Sequence, residues 1–249
     1  AWRALSKNKI YLALNICGLA AGIAACLLVF RIVRFEWSFN TGFHNHDRIV
    51  RVLSREKDSE SESMSACVPI PAMAAIQGSV SQFEQVARIR EVWPTITVPD
   101  PAGGAPLRKF QPSTPEVGMF VEPSFFKIFD LTWLAGDPGT ALNEINTAVL
   151  PRKLAEKCFD AWHKAVGQTL VMDNRVHLTV RGVVENMPDN CDFPLFILVS
   201  YPTIMPNKDL YFYDEKDWGS CSTNNQLFAL LRDKNQFFTA AATVALVGK

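Results

Sequence analysis

From Ile10 to Phe30 the chain carries 21 residues without a charged side chain, and Asn15 is the single strongly polar group among them. Wound as a helix at about 1.5 Å per residue, this run reaches about 31 Å, the thickness of a bilayer's hydrocarbon core. It lacks the polar stripe that a helix keeps on the outer face of a water-soluble protein, so the pattern predicts a membrane span over residues 10–34. A cleavable secretion signal is one rival. Lys7 and Lys9 supply its basic start, but its apolar region is only about 7–15 residues long. A lipid-anchored N-terminus is another, because Ile23-Ala24-Ala25-Cys26 fits a lipidation cleavage site with Cys26 as the acceptor. The apolar run continues through Leu27, Leu28, Val29 and Phe30, which a lipidated terminus does not need.

Inside the span, Gly18 and Gly22 stand four residues apart, as do Ala21 and Ala25. Small residues at this spacing let two helix backbones approach closely in lipid, although Gly is also simply common in membrane helices. Asn15 is expected to face a neighbouring helix, because an unpaired amide is costly in hydrocarbon. Trp2 and Leu5 among Arg3, Lys7 and Lys9 predict an amphipathic elbow over residues 1–9 on the cytoplasmic surface. Arg31 and Arg34 follow the span closely, so local charge leaves the orientation open. A short N-terminus kept inside, with the large domain sent outside, is the simpler topology.

Beyond Asn40 the period changes. Residues 47–57 read as a strand, followed by an exposed Ser/Glu-rich loop to Ser65. Residues 69–80 suit a helix introduced by Pro71, and 85–93 alternate, with Ala87, Ile89 and Trp93 on one face and Arg88 and Arg90 on the other. The Pro- and Gly-rich segment 97–116 marks a loop or subdomain boundary. Residues 118–138 read as a strand, a short helix with Phe125, Phe126, Ile128 and Phe129, and a second strand ending at Gly136. A strand enters a helix over 147–159, with Pro151 in the first turn and Leu150, Leu154 and Cys158 on one face. A hairpin over 168–188 turns at Asp173-Asn174, placing Val176, Leu178 and Val180 inward. Strands at 194–202 and 226–232 flank a long aromatic, acidic loop, and a helix closes the chain from Phe237 to Val247. Strand–helix units flanking a β-rich insert define an α+β architecture.

Charge adds one exclusion. Lys plus Arg and Asp plus Glu balance at 25 each, so no global field recruits nucleic acid. The chain opens on Ala1 and ends on Lys249 after an apolar run, which reads as part of something longer. The four histidines, His44, His46, His163 and His177, come without a metal-binding spacing, and no nucleophile elbow or phosphate loop is present. No cofactor, metal or catalytic residue is therefore expected. Cys67, Cys158, Cys191 and Cys221 lie outside the span and could pair in three ways. Cys191 and Cys221 occupy loop-like sequence, which favours that bridge, while Cys158 suits a small buried position. Tyr211, Phe212 and Tyr213 stand together among charges in residues 208–218. Such rings either mark a partner surface or fold back onto their own domain.

Three stretches, taken in order, resemble the extracytoplasmic part of MacB/FtsX-type ABC transporter permeases. They are the elbow and span with their exit through FHNHDRIVRV, the segment VEPSFFKIFDLTWLAGDP, and TAVLPRKLAEKCF followed by GQTLVMDNRVHLTVRGVVENMPDN. Together they cover most of residues 1–200. The resemblance implies one membrane helix followed by a two-lobed periplasmic domain in the bacterial inner membrane. Residues 35–104 and 196–249 would form one lobe, and 105–195 an inserted β-rich lobe. It also implies a separate ABC ATPase subunit, a homo- or heterodimer of permeases, a periplasmic protein as a further partner, and mechanical transmission in place of catalysis. A membrane-anchored sensor or ligand-binding lipoprotein is the rival reading.

Overall fold

The computed structural model describes residues 9–57, 62–219 and 221–247. The elbow expected over residues 1–9 lies outside the described residues except for Lys9, as do residues 58–61 of the Ser/Glu-rich stretch. Two compact units are present: residues up to 42 with 190–192, and the remainder of the chain.

The first unit is dominated by helix α1 (Lys9–Trp37), 29 residues with no buried side chain, long and apolar enough to cross a membrane. It extends three residues past the expected end of the span. Helical geometry makes it about 43 Å long, more than the hydrocarbon core alone requires. Its continuation is held by the distant segment 190–192. Asn40 Nδ2 donates to Asp192 Oδ2 at 2.6 Å, Asp192 N–H donates to Asn40 Oδ1, and Asn190 Nδ2 donates to both oxygens of Ser38 at 2.9 Å.

The second unit is a sheet-rich α+β domain. Strands β1 (Ile49–Val52), β2 (Ser54–Lys57) and β3 (Glu62–Ser65) precede α2 (Ile70–Ser79), β4 (Phe83–Val92), β5 (Ile96–Val98), β6 (Arg108–Phe110) and β7 (Val117–Val121). Next come α3 (Phe125–Ile128), β8 (Trp133–Ala135), β9 (Thr147–Pro151), α4 (Arg152–Phe159), β10 (Thr169–Met172), β11 (Val176–Val184) and β12 (Leu195–Ser200). The last elements are α5 (Lys208–Tyr211), β13 (Asn225–Leu231) and α6 (Phe237–Val247). Apart from the separate β2–β3 hairpin, the strands form one sheet ordered β1-β13-β4-β7-β12-β9-β11-β10-β5-β6, with β8 beside β11. Among the described residues, only β7–β12 and β9–β11 pair in parallel.

Two apolar clusters of the domain are built on its sheet. One gathers Val52, Val68, Met73, Ile76, Val86, Leu227 and Ala240 between α2, α6 and the β1-β13-β4 edge. The other gathers Ile96, Val98, Phe120, Leu150, Leu154, Leu178, Val199, Tyr201 and Tyr213. The second draws in residues on both sides of the expected lobe boundaries at 104 and 196. Ile96 and Val98 belong to it because β5 pairs with β10, not with β4. The Pro/Gly-rich segment also contributes β6 as an edge strand, and the Ser/Glu-rich stretch contributes the β2–β3 hairpin, where loops were expected.

The hairpin turns as expected, with Asp173 and Asn174 at φ 52° and 56°, the left-handed pair that a two-residue connection demands. Gly136, at φ 91°, shows why a glycine ends β8: a Cβ there would strike the backbone of Arg181 and Gly182. Trp93, expected inward, is 58% exposed because β4 ends one residue earlier.

Candidate functional site

On α1, residues 15, 18 and 22 fall within about 60° of one another around the axis, so Asn15, Gly18 and Gly22 share a face. All three are exposed, and a Cβ added at Gly18 or Gly22 would meet nothing within 4 Å.

The chain passes from the first unit into the second at Gly42-Phe43 and again at Asp192-Phe193. In both places the first residue of the domain is a phenylalanine belonging to one aromatic cluster. Phe43 meets Phe129 at 5.1 Å and Phe193 at 6.4 Å, and Phe193 meets Phe129 at 4.6 Å and Phe228 at 5.3 Å, between centroids. Phe125 completes the group against Phe129 and Phe193. Besides Phe43 and Phe193, the rings come from the short Phe-rich helix α3 that the sequence predicts (Phe125), from the residue that ends it (Phe129) and from β13 (Phe228). Phe129 is 2% exposed and Phe43 7%. Beside the cluster, the backbone N–H of His44 donates to both oxygens of Asp130, at 3.0 and 3.2 Å. That is the place of the first histidine: its exit-segment backbone is tied down. His177 points outward from β11. Among the described residues, no three His, Cys, Asp or Glu side chains converge as a metal site would require.

A second concentration of buried polar chemistry lies where the two apolar clusters meet. The segment from Tyr201 to Tyr213 forms a strap across the face of β4 that carries Arg88 and Arg90. Arg88 grips Glu122 through Nε and Nη2 at 2.9 and 2.7 Å, and its guanidinium lies 4.6 Å from the centre of the Tyr201 ring. Burial disfavours the Arg88 cation, but Glu122 more than offsets this and holds its pKa above the usual arginine value. Arg90 is 9% exposed and donates to Asn225 Oδ1 and to the Tyr211 carbonyl, each at 2.5 Å. Its guanidinium sits 5.8 Å from the Tyr213 ring, and burial pulls its pKa down. The Tyr201 and Tyr213 hydroxyls stand 3.4 Å apart, and Tyr211 O–H donates to Asp173 Oδ2 at 3.3 Å. Burial pushes all three phenols up, so they stay neutral donors.

The aromatic triplet therefore divides. Tyr211 and Tyr213 are 7% and 5% exposed and fold back onto the domain, which removes them as partner contacts. The cause is Arg90 beneath them, whose withdrawn guanidinium takes the Tyr211 carbonyl as an acceptor and the Tyr213 ring as a neighbouring face. Phe212 alone projects, 91% exposed. Arg88 and Arg90 were missed because strict alternation assigns them to a polar face, whereas this sheet is covered on both sides.

The bridge expected between Cys191 and Cys221 is not formed. Cys221 pairs with Cys67, with Cα atoms 5.5 Å apart. Pairing of β13 with β4 brings the loop before β13 beside the start of α2, where Val68 N–H donates to the Asn225 carbonyl. Cys191 instead sits in the segment that belongs with the end of α1. Cys158 is 3% exposed on α4, and burial pushes its thiol up to about 12.

The structure thus joins an apolar helix of membrane-spanning length to a mixed, sheet-rich domain. The chain belongs to the MacB-like periplasmic core domain family, whose model matches residues 12–245, helix included. Among solved structures, it is similar to a domain of a permease protein from Porphyromonas gingivalis, with TM-score 0.59, 20% identity, and 77% of this chain and 76% of that one covered. It is also similar to the extracellular domain of the noncanonic ABC-type transporter YknZ from Gram-positive bacteria (TM-score 0.54, 12% identity, covering 80% and 91%). The periplasmic region of MacB from Actinobacillus actinomycetemcomitans gives TM-score 0.53 at 15% identity, covering 81% and 85%. No curated protein matches the chain.

Proposed function

We propose that the chain is the anchor and extracytoplasmic domain of an ABC-type permease in the bacterial inner membrane, with the domain in the periplasm. In this reading a separate ATPase drives movement of the membrane helices, and the domain carries that movement outward for export or mechanical work. Residues Asn15, Gly18 and Gly22 would seat α1 against another helix of the same or a second permease. The observation that carries the reading is one family match running without interruption from the apolar helix through the whole domain. Its support within the chain is the phenylalanine cluster, which receives both of the chain's passages into the domain, so tension on either is taken up by the same buried rings.

Three measurements on intact cells test it. The chain should stay with membranes in carbonate, an engineered tag after β6 should be protease-accessible from outside in spheroplasts, and the mature protein should retain its sequence through Phe30. A lipid on Cys26 would establish the anchored lipoprotein instead, and a domain protected inside the cytoplasm would end the relay reading.

A further inference from the structure

The Cys67–Cys221 bridge joins the first and last of the cysteines outside the span, and Cys158 and Cys191 lie between them in sequence. The sheet makes that order matter. β13 lies between β1 and β4, the two strands that flank Cys67 along the chain, so the last strand made is inserted between two early ones. Cys67 is 6% exposed at the start of α2, where Val68 N–H donates to the carbonyl of Asn225, the first residue of β13. Its native partner therefore comes into reach only when β13 does. The bridged cysteines are 154 residues apart, and a chain made N-terminus first at about 5–20 residues per second takes about 8–30 s to supply them. Disulfides form on the timescale of seconds and longer, so Cys67 is open to pairing during this wait.

Cys158 arrives within the wait, and it is a wrong partner. In the folded domain it is 3% exposed on α4, which packs on β9 and β11. β9 stands four places from β13 in the sheet, about 19 Å at the usual strand spacing, whereas bridged cysteines keep their Cα atoms within about 7 Å. A Cys67–Cys158 bridge, once made, holds α4 away from its strands and keeps the sheet from closing. Cys221 could displace it unaided, but uncatalysed disulfide rearrangement takes minutes to hours. Unpaired strand edges stay exposed to aggregation for that time.

We infer that the chain is a client of an extracytoplasmic thiol–disulfide isomerase, which transfers Cys67 from a bridge with an earlier-arriving cysteine to its bridge with Cys221. The inference rests on the periplasmic placement proposed above, where a protein disulfide oxidant first removes two electrons from the chain and is itself reduced to a dithiol. The isomerase thiolate then attacks Cys67 Sγ, and Cys158 leaves as a thiolate that takes up a proton. Cys221, as thiolate, next attacks the same Cys67 sulfur, which forms the native bridge and returns the isomerase thiolate. The exchange itself consumes no oxidant.

The test uses the full chain, made in bacterial cells with and without their periplasmic disulfide isomerase. Thiols are trapped in acid and alkylated, and the bridges are mapped by mass spectrometry of the digest. With the isomerase, Cys67–Cys221 should predominate. Without it, Cys67 has three possible partners, so unsorted pairing leaves the native bridge on about one third of chains or fewer, and Cys67–Cys158 peptides should accumulate. Cys158→Ala with Cys191→Ser should form the native bridge equally in both strains. An isomerase variant retaining one cysteine of its pair should be trapped as a mixed disulfide on the wild-type chain and not on that double variant. An intact bridge in both strains would overturn the inference and leave the periplasmic placement standing, as would a double variant that still needs the isomerase. Free thiols throughout in both strains would overturn the inference and the placement together.

Discussion

Reduction of the Cys67–Cys221 bridge gives the most quantitative check on the fold. The two cysteines stand 154 residues apart in sequence, so the bridge closes most of the domain into one loop. Closing a loop of that length removes about 17 cal/mol/K of entropy from the unfolded chain, or about 5 kcal/mol at 25 °C. A urea dependence of about 2.5 kcal/mol/M suits a domain of this size, so the bridge should move the unfolding midpoint by about 2 M. Cys221 is exposed, and a phosphine reductant reaches it without prior unfolding. The assay is tryptophan fluorescence of the nanodisc-held chain in urea, with and without reductant. Cys67→Ser and Cys221→Ser, singly or together, should reproduce the reduced curve and abolish any response to reductant. Cys191→Ser should leave the oxidised midpoint where it was. A midpoint shift below about 0.5 M, or a shift lost in Cys191→Ser, would refute both the pairing and the magnitude.

Phe129→Ala, which empties the centre of the phenylalanine cluster, should cost about 3–5 kcal/mol in the same urea titration; a loss below 1 kcal/mol would show that the rings do not pack as described. Arg90→Met removes the donors for Asn225 Oδ1 and the Tyr211 carbonyl, and should cost about 1–3 kcal/mol while speeding amide exchange in residues 201–213. Unchanged exchange there would deny the strap its anchor. Burial works against ionisation of Glu116, but the Lys153 ammonium at 2.7 Å and the Ser113 donors outweigh it and hold the carboxyl below its usual value. Because the folded pKa is depressed, this stabilisation is complete above the unfolded value of about 4.3 and fades as pH falls through the folded one. Glu116→Gln should therefore flatten the acid limb of stability against pH and narrow the gap between pH 7 and pH 3; an unchanged limb would contradict the pair.

Much of the fold is legible along the chain because its longest elements are locally consistent. The uncharged run makes α1, alternation makes β4 and β11, the Asp173-Asn174 turn sets the hairpin register, and Pro151 opens α4. What stays hidden depends on partners far away in sequence. β5 and β6 are three residues each in a Pro/Gly-rich segment; β5 gains its identity from pairing with β10, and β6 from pairing with β5. The β2–β3 hairpin has no apolar period to announce it. Cys67 is matched to Cys221 by the β13–β4 pairing, which no spacing rule reveals. Arg88 and Arg90 alternate as surface residues do, and become buried only because the strap returns across them.

The same nonlocal contacts decide how the domain can move. The first and second apolar clusters belong to one sheet, joined through the β4–β7 ladder, where Ile89 faces Val121 and Val92 faces Gly118. Arg88 reinforces that seam through Glu122 and the Tyr201 ring, and Arg90 ties it to the strap. Sliding one cluster past the other would break ladder hydrogen bonds and strand a buried guanidinium together, a cost that packed cores do not absorb by gradual deformation.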